Sequence, residues 1–254
     1  MKVPFISARE LDIFISPDAG ALSHTLFVLG GRMPEPGWLS DFTARNSPVV
    51  WAVDSGVGSC RRSGVHPHAI IGDMDSAARE DLDWARSLGA AERLFSSDKD
   101  LTDFQLALGI WEDEHRGETD SINSIMVSGC FGGRFDHLLS TANTFSPGRT
   151  DGKGPMKNRR CMIDNMEGLF FLCGGETMEL SLRRKPLAIS LLPFTDECRG
   201  VHIEGVRWPL NGAALYRNFP WTVSNEISAC GGDTSSTVTA SCGDGVLAVY
   251  LCFA

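Results

Sequence analysis

Short apolar runs alternate with segments of helical periodicity through the first 145 residues. Five runs, each followed by glycine or polar residues, predict β-strands at residues 25–29, 49–53, 70–71, 91–95 and 125–128. Between the runs, the residue pattern predicts helices near residues 36–46, 56–62, 77–88, 101–111 and 135–145. Strands that alternate with helices are typical of a mostly parallel, Rossmann-like sheet with helices on both faces. We therefore predict an α/β domain in this part of the chain.

The last two predicted helices carry apolar stripes that indicate their buried faces. The first stripe consists of Leu101, Phe104, Leu108 and Trp111. In the second helix, the residues expected to be buried are Phe135, Leu138, Leu139, Ala142 and Phe145. Such stripes normally pack against the sheet. The helix at 77–88 is expected to begin with Ser76 as its N-cap.

The pattern changes after residue 146. Residues 147–160 combine glycine and proline with several lysines and arginines, a composition typical of a linker. Beyond it, short β-like runs, one of them at 222–227, alternate with glycine or charged turns. We therefore predict an α/β domain for nucleotide and metal binding at residues 1–146, a basic linker at 147–160 and an all-β sandwich domain at 161–254.

Composition narrows the classes of function. The chain of 254 residues has a formal net charge of −9, which argues against nucleic-acid binding because that depends on lysine and arginine. A nucleotide ligand remains compatible with this charge, since metal ions can supply positive charge locally. No run is long and apolar enough to span a membrane. None of the eight cysteines is spaced as C-x-x-C, so we expect reduced core thiols and a cytoplasmic protein.

Two acidic groups follow strands of the predicted sheet. Asp73 and Asp75 come after an apolar run and Gly72, and an extended chain would point both carboxylates to the same side. Asp98, Asp100 and Asp103 follow the next strand. Clustered carboxylates repel one another unless a cation lies between them, and oxygen ligands suit a hard divalent ion such as Mg²⁺. The alternative is structural, because acidic residues and serine also favour the N-termini of helices.

A glycine-rich turn, Gly129 to Gly133, opens the last helix of the α/β domain. Backbone N–H groups in such a turn can approach phosphate oxygens closely, and Arg134 adds a positive charge. The alternative is a simple loop with an exposed arginine. No Walker A motif is present, and no G-x-G-x-x-G motif follows the first strand, so neither a P-loop kinase nor an ordinary NAD-binding protein is predicted.

The ordered set of these motifs resembles the thiamine pyrophosphokinase family. The motifs are Asp-Ser-Gly (54–56), Gly-Asp-Met-Asp-Ser (72–76), Asp-Lys-Asp-Leu-Thr-Asp (98–103), Gly-Gly-Arg-Phe-Asp-His (132–137) and Ser-Asn-Glu (224–226). The resemblance implies an α/β nucleotide-binding domain followed by a β-sandwich domain. It also implies transfer of the diphosphate of ATP to the hydroxyl group of thiamine, giving thiamine diphosphate and AMP, by a homodimer with active sites at the subunit interface.

The resemblance also implies roles for particular residues. The residues that would bind Mg²⁺ and act in catalysis are Asp73, Asp75, Asp100 and Asp103. Those that would contact the nucleotide are Asp54, Ser55, Gly132, Gly133, Arg134 and Asp136. Those that would bind thiamine are Trp208, Ser224 and Asn225. The chain departs from the family pattern at Ser55, where the family usually has glycine.

Three other functions are compatible with parts of this pattern. A diphosphokinase for another alcohol, such as a hydroxymethylpterin, would need the same nucleotide-binding half. A non-catalytic protein could bind thiamine or a nucleotide without producing AMP. A metal-dependent phosphatase would release inorganic phosphate without an acceptor alcohol. Trp208 with Ser224 and Asn225 favours thiamine, because an electron-rich indole suits a cationic aromatic ring.

Overall fold

The computed structural model describes residues 4–17, 22–96, 100–116, 122–147, 158–228 and 236–253. The helices are α1 (Pro36–Asn46), α2 (Gly56–Ser63), α3 (Arg79–Ser87), α4 (Asp103–Glu114) and α5 (Phe135–Phe145). The strands are β1 (Ile6–Ser7), β2 (Leu11–Ser16), β3 (Leu22–Val28), β4 (Val49–Val53), β5 (Ala69–Gly72), β6 (Ala91–Leu94), β7 (Ile122–Ser128), β8 (Arg159–Ile163), β9 (Glu167–Cys173), β10 (Glu176–Leu182), β11 (Ala188–Pro193), β12 (Glu197–Glu204), β13 (Leu210–Tyr216), β14 (Ser236–Cys242) and β15 (Val246–Cys252). Asp98 and most of the predicted linker lie outside the described residues.

The chain divides into two compact units. Unit 1 contains Met1–Leu22, Ser146–Cys161 and Met166–Ala254, and unit 2 contains Ser23–Phe145 and Met162–Asn165. The division differs from the predicted arrangement at the N-terminus, because β2 pairs with β10 in an antiparallel ladder. Leu11, Ile13 and Ile15 alternate with more exposed residues in β2, which suits a strand with one buried face. Where the domains begin and end otherwise stays a prediction.

Unit 2 is built on a mostly parallel sheet. Its strands lie in the order β7-β3-β4-β5-β6. Parallel ladders join β3 to β4, β4 to β5 and β5 to β6, and helices occupy the connections. The Phe27 ring lies at the centre of its core, edge-on to Trp51 at 5.5 Å and to Phe104 at 5.8 Å. The predicted α/β fold class is confirmed. The carboxyl ends of β4 and β5 are therefore neighbours at one edge of the sheet.

Two helices are less buried than the sequence predicts. Phe104, Leu108 and Trp111 of α4 are buried as expected, but Leu101 is exposed because it precedes the N-cap Thr102. In α5 only the later turns are buried, through Thr141, Ala142 and Phe145. Phe135 is 73% exposed and Leu139 is 49% exposed, so their predicted burial is wrong. Helical periodicity identified a common face, but only packing determines how much of that face is covered.

Unit 1 is a β-sandwich of antiparallel strands. One sheet has the order β1-β2-β10-β14-β12-β13, and β11, β15 and β9 are neighbours in the other. Strands β9 and β15 contact β10 and β14 of the first sheet. Alternate residues of β10, including Met178 and Leu180, are buried between the sheets, whereas Leu169 to Leu172 of β9 form a continuous buried run. The predicted all-β sandwich is confirmed.

Three further findings qualify the sequence analysis. Residues 222–227 form no strand but only isolated bridges, at Asn225 and Ile227.

The cysteines that the structure describes are free, and most are buried. Burial raises the pKa of Cys60 to about 12, as expected for an inert core thiol. In the described part of the chain, no helix has both the length and the apolar character needed to cross a membrane.

Candidate functional site

Three carboxylates meet where β4 and β5 end. Asp54 follows β4, whereas Asp73 and Asp75 follow β5. Val53 pairs with Ile71, and the Asp54 N–H donates to the Ile71 carbonyl at 2.8 Å, so the two strands end side by side. One oxygen from each carboxylate lies within 4.8 Å of the others. Among the described residues, this group could hold a metal ion.

The backbone brings these carboxylates together in a different way from the predicted one. Strand β5 ends at Gly72, so extended alternation does not continue through Asp73 and Asp75. Instead Met74 has a φ of 60° and Gly72 a φ of 140°, which turn the chain so that the Asp75 N–H donates to Asp73 Oδ1 at 3.3 Å. Asp54 also has a positive φ, of 50°. Such conformations are costly for residues other than glycine and are concentrated at functional sites.

The electrostatics of the group fit a divalent cation. The pKa of Asp75 is raised, chiefly by the negative charge of Asp73 and then by partial desolvation, with Asp54 and Asp103 contributing less. Among the described residues, Asp54 Oδ1 is buried without a hydrogen-bond donor, while Oδ2 accepts from the Ser76 hydroxyl at 2.5 Å. A buried carboxylate oxygen normally has a partner. An oxygen-binding ion such as Mg²⁺ would neutralise the repulsion and complete the coordination.

Ser76 does not have its predicted role. Helix α3 begins at Arg79, and its N-cap is Ala78, which makes no side-chain cap hydrogen bond. The hydroxyl of Ser76 instead holds the carboxylate of Asp54, across from a different strand end. Ser76 thus orients a carboxylate of the candidate site. The predicted N-cap at Ser76 is wrong, because the general preference of serine for N-caps does not apply here.

The second acidic group is only partly brought to this place. Asp103 is the first residue of α4, and a Cβ added to Gly72 would lie 3.2 Å from its Oδ1 atom. Asp103 thus lies beside Gly72, the residue before Asp73. Thr102 and Gln105 form a capping box that fixes this end of α4. Asp100 is exposed and is not part of the three-carboxylate group.

The glycine-rich turn after β7 is open to solvent. Gly129, Gly132 and Gly133 all have positive φ values, of 70°, 69° and 66°, which favour glycine. Gly132, Gly133 and Arg134 are exposed. Asp136 lies in the first turn of α5 and accepts hydrogen bonds from Arg134 Nε at 3.1 Å and Nη2 at 2.5 Å. This contact lowers the pKa of Asp136 and raises the pKa of Arg134.

Ser55 fits beside a glycine of the neighbouring loop. It occupies the N-cap position of α2 but makes no side-chain cap hydrogen bond. A Cβ added to Gly30 would lie 2.0 Å from Ser55 Oγ. The hydroxymethyl group of Ser55 therefore takes space that any side chain at residue 30 would need.

Unit 1 contains a cavity of about 250 Å³ with an apolar lining. Trp208 and Asn225, two of the predicted thiamine-binding residues, line it. Ser224 is not among the lining residues. Its backbone has a φ of 59°, and its N–H donates to Ser190 Oγ at 3.0 Å. Most of the lining residues were not predicted from the sequence; these are Ile189, Leu191, Ile203, Leu210, Trp221, Thr222 and Val223.

The side chain of Asn225 is engaged with Trp208. Its Nδ2 donates to the Trp208 carbonyl at 2.7 Å, and its Oδ1 accepts from the Trp208 N–H at 3.1 Å. The same oxygen accepts from the Glu226 N–H at 2.9 Å. The guanidinium carbon of Arg207 lies 4.7 Å from the centre of a Trp208 ring, and Arg207 pairs with Glu226 at 3.1 Å. Asn225 therefore positions the tryptophan at the cavity wall.

Comparison with known families assigns both parts of the chain to the same family. Residues 42–151 match the family model of the thiamin pyrophosphokinase catalytic domain, and residues 177–243 match that of the thiamin pyrophosphokinase vitamin B1 binding domain. Together the two matches span more than half of the chain. The chain belongs to the thiamin pyrophosphokinase family. The acidic group and the glycine turn fall in the first match, and the cavity residues Trp208 and Asn225 fall in the second.

Individual members of the family agree with this assignment. The thiamine pyrophosphokinase of Bacillus subtilis is 26% identical over 180 residues, which cover 70% of this chain and 78% of the relative. The crystal structure of thiamine pyrophosphokinase from Bacillus subtilis matches with a TM-score of 0.70 at 20% identity, over 91% of this chain and 100% of that one. The crystal structure of yeast thiamin pyrophosphokinase matches with a TM-score of 0.66 at 14% identity, over 93% of this chain and 88% of that one. The structural matches show a shared fold.

The residues missed from the sequence follow a common pattern. Apolar cavity residues such as Ile189 and Leu191 look like ordinary core residues in a sequence, because strand β11 contributes both to the core and to the cavity wall. Trp221 and Val223 could have been recognised as candidate binding residues, since both are large apolar residues just before the Ser-Asn-Glu motif. Asp54 was expected among the nucleotide contacts and at the rim of the metal site, and the structure groups its carboxylate with those of Asp73 and Asp75.

Proposed function

We propose that this protein is an Mg²⁺-dependent thiamine diphosphokinase that transfers the diphosphate of ATP to the hydroxyl group of thiamine. The products are thiamine diphosphate and AMP. Membership of the family supports the activity. The observation that carries the proposal is the group of Asp54, Asp73 and Asp75, in which a buried carboxylate oxygen accepts no hydrogen bond among the described residues.

The carboxylates of Asp54, Asp73 and Asp75 would hold Mg²⁺, with Asp103 beside them at the start of α4. When bound, Mg²⁺ neutralises phosphate charge and stabilises the leaving group in phosphoryl transfer. The protein orients these ligands before the nucleotide arrives. The Ser76 hydroxyl holds Asp54, and the Asp75 backbone N–H holds Asp73. Pre-arranged ligands reduce the reorganisation needed during the reaction.

The exposed glycine turn would bind the nucleotide phosphates. Gly132 and Gly133 carry no side chains that would keep phosphate oxygens from the backbone N–H groups. Arg134 would supply a charge, and Asp136 holds its guanidinium in place. We propose that Ser55, at the start of α2, also faces the nucleotide, although its hydroxymethyl group fills space beside Gly30.

The cavity of unit 1 would bind thiamine. Its apolar walls suit an aromatic ring, and an indole face attracts a cationic one. Trp208 would supply that face, while Asn225 holds the backbone of Trp208 by two hydrogen bonds. Ser224 would orient the substrate from the same segment. A cation on the substrate distinguishes thiamine from a hydroxymethylpterin, which is neutral.

The proposed reaction is an in-line displacement at the β-phosphorus of ATP. The hydroxyl oxygen of thiamine forms a bond to this phosphorus, and the bond from phosphorus to the oxygen that bridges the α- and β-phosphates breaks. AMP leaves with that bridging oxygen. Asp100 would orient the attacking hydroxyl and accept its proton, since it is exposed near the N-terminus of α4. Positioning and charge neutralisation account for most of the catalysis in such transfers.

We also propose that the protein acts as a homodimer with active sites at the subunit interface. Family resemblance suggests this assembly, and exposed apolar side chains support it, including Phe135 on α5 and Phe219 and Trp221 in unit 1. A cytoplasmic location is proposed on the basis of the free cysteines in the described residues.

One assay tests the activity. The protein is incubated with ATP, Mg²⁺ and thiamine, and the nucleotides and thiamine esters are separated by chromatography. Equal amounts of AMP and thiamine diphosphate support the proposal. Parallel reactions with a hydroxymethylpterin, and with no acceptor, identify the alternatives. Inorganic phosphate without an acceptor indicates a phosphatase, and binding of thiamine without AMP indicates a non-catalytic binding protein.

A further inference from the structure

The glycine turn after β7 is joined to the loop that follows β3. The Leu29 N–H donates to the Ser128 carbonyl at 2.8 Å, and the Gly31 N–H donates to the Gly129 carbonyl at 2.7 Å. Strands β3 and β7 are neighbours in the sheet, so these bonds continue their pairing beyond the strand ends. The two loops thus form one hydrogen-bonded structure, and the position of one sets the position of the other.

The side chain of Arg32 lies along this structure. The backbone N–H of Arg32 donates to the Phe131 carbonyl at 2.7 Å. A Cβ added to Gly132 would lie 3.0 Å from the Cβ of Arg32 and 3.6 Å from its Cδ. The stem of Arg32 therefore covers one side of Gly132. Its guanidinium carbon lies 5.9 Å from the centre of the Phe131 ring, on the same turn.

Asp164 holds the guanidinium of Arg32. Its Oδ2 accepts from Nη2 at 2.7 Å and from Nε at 3.2 Å. The side chain of Asp164 is 0% exposed, whereas that of Arg32 is 29% exposed. A buried carboxylate requires a charged partner, so this contact fixes one edge of the guanidinium while part of the side chain still reaches solvent. The neighbouring residue Asn165 makes a second contact with the loop after β3, since its Oδ1 accepts a hydrogen bond from the Glu35 N–H at 2.9 Å.

We propose that Arg32, positioned by Asp164, binds the phosphate groups of the nucleotide together with the glycine turn. The inference rests on the proposed function. It adds Arg32 as a further cation besides Arg134 of the 132–137 motif. An arginine already oriented by a carboxylate loses little freedom when it binds an anion, which is the advantage of such a pair. Both residues lie outside the segments that match the family models, so this cation is additional to the matched motifs.

The experiment replaces the pair by neutral residues of similar size, in the double variant Arg32→Met with Asp164→Asn. Binding of ATP and of adenosine is measured by isothermal titration calorimetry with Mg²⁺ present, and KM and kcat are measured for both substrates. We expect the Kd and KM for ATP to rise about tenfold, because a charge-assisted contact to phosphate is lost. The Kd for adenosine, the KM for thiamine and kcat should remain within twofold of the wild-type values. Added salt should weaken ATP binding less in the variant than in the wild type.

A matched control is the pair of Arg61 and Asp81, which joins α2 to α3 in the same unit at 2.9 Å. The variant Arg61→Met with Asp81→Asn should leave ATP binding unchanged. Unchanged ATP affinity in the Arg32 variant would overturn the inference, as would an equal loss of ATP and adenosine affinity, which indicates a purely structural pair. If the double variant does not fold, Arg32→Lys with Asp164 retained allows the same comparison of ATP with adenosine. A wild-type protein that binds ATP but forms no AMP with thiamine contradicts the proposed function instead.

Discussion

At the scale of single residues, backbone conformation decides where the acidic side chains point. Asp54 and Met74 both have positive φ values, which few residues other than glycine adopt. The free energy that these conformations cost is offset by the surrounding hydrogen bonds, such as that from the Asp54 N–H to the Ile71 carbonyl. The result is a group of carboxylates that repel one another, which is unfavourable without a cation.

Asp75→Asn should therefore separate stability from activity. Turnover should fall by about a hundredfold or more, since one of the proposed Mg²⁺ ligands is lost. Without metal, the variant should be at least as stable as the wild type, because the repulsion that raises the pKa of Asp75 is removed. Differential scanning fluorimetry with and without Mg²⁺ tests this, and Mg²⁺ should raise the Tm of the wild type more than that of the variant. Asp113→Asn, an exposed site on α4, is the control and should behave like the wild type.

Gly30→Ala should destabilise the protein by about 1–3 kcal/mol, as expected for a side chain forced into occupied space. The new Cβ would lie 2.0 Å from Ser55 Oγ, and Ser55→Gly should restore part of the loss because it removes that atom. Urea denaturation of both single variants and of the double variant gives the coupling energy, about 1 kcal/mol or more for residues in contact. Additive effects would contradict the contact. Gly56→Ala serves as the contrast, since its Cβ would lie 1.9 Å from a backbone oxygen, of Val28, and no side-chain change can relieve that clash.

At the scale of elements, the ends of helices and the loops between strands position the site. Helix α4 is the clearest case. Its capping box, formed by Thr102 and Gln105, fixes the first turn, and Asp103 is the first residue of that turn. The polar and apolar pattern predicted a helix here but placed its start at Leu101, two residues early, because the stripe of apolar residues includes Leu101. The capping residues mark the start more accurately than the stripe does.

Thr102→Ala should lower the free energy of unfolding by about 1 kcal/mol, the usual contribution of an N-cap side chain. It should also raise the concentration of Mg²⁺ needed for half-maximal activity, because Asp103 is less firmly placed. Chemical denaturation and a Mg²⁺ titration measure the two effects. Thr43→Ala, within α1, replaces a threonine that bonds only its own helix and should change stability by less than about 0.5 kcal/mol. Equal losses at both positions would exclude a special role for the cap.

The segment around Trp208 is held by a side chain from another segment. Asn225→Ala removes both hydrogen bonds to the Trp208 backbone and should raise the KM for thiamine about tenfold or more, with the KM for ATP unchanged. The indole should become more mobile, which lower fluorescence anisotropy of the tryptophans would report. Trp208→Phe is the companion variant and should retain more thiamine binding than Trp208→Ala. An unchanged KM for thiamine in Asn225→Ala would contradict the positioning role.

At the scale of the whole molecule, exposed apolar side chains on α5 support the proposed dimer. Phe135 and Leu139, four residues apart on α5, lie on the same side of the helix. Helical periodicity in the sequence suggested that this side packs within the chain. A helix face that packs within its own chain and one that would pack against a second copy have the same sequence pattern. Since this face of α5 is exposed in the chain itself, we propose that a second copy covers it.

Phe135→Glu should weaken the proposed dimer, since a charge at the centre of an apolar contact costs desolvation energy. Sedimentation velocity over a range of protein concentrations gives the dissociation constant, which we expect to rise by about tenfold or more. Exposed Leu187→Glu in unit 1 is the control for a general effect of an added charge. A wild-type protein that remains monomeric at high concentration would contradict the dimer.

The sequence by itself determined the fold class, the order of the motifs and the identity of the acidic residues, because these follow from local periodicity and from the chemistry of side chains near one another in the chain. The tertiary structure decided what depends on distant parts of the chain. It placed Asp54 with Asp73 and Asp75, paired Arg32 with Asp164 across 132 residues, and left Phe135 exposed. Hydrophobic burial and hydrogen-bond pairing act through space, and a sequence pattern records which residues can take part in such contacts but not which partners they meet.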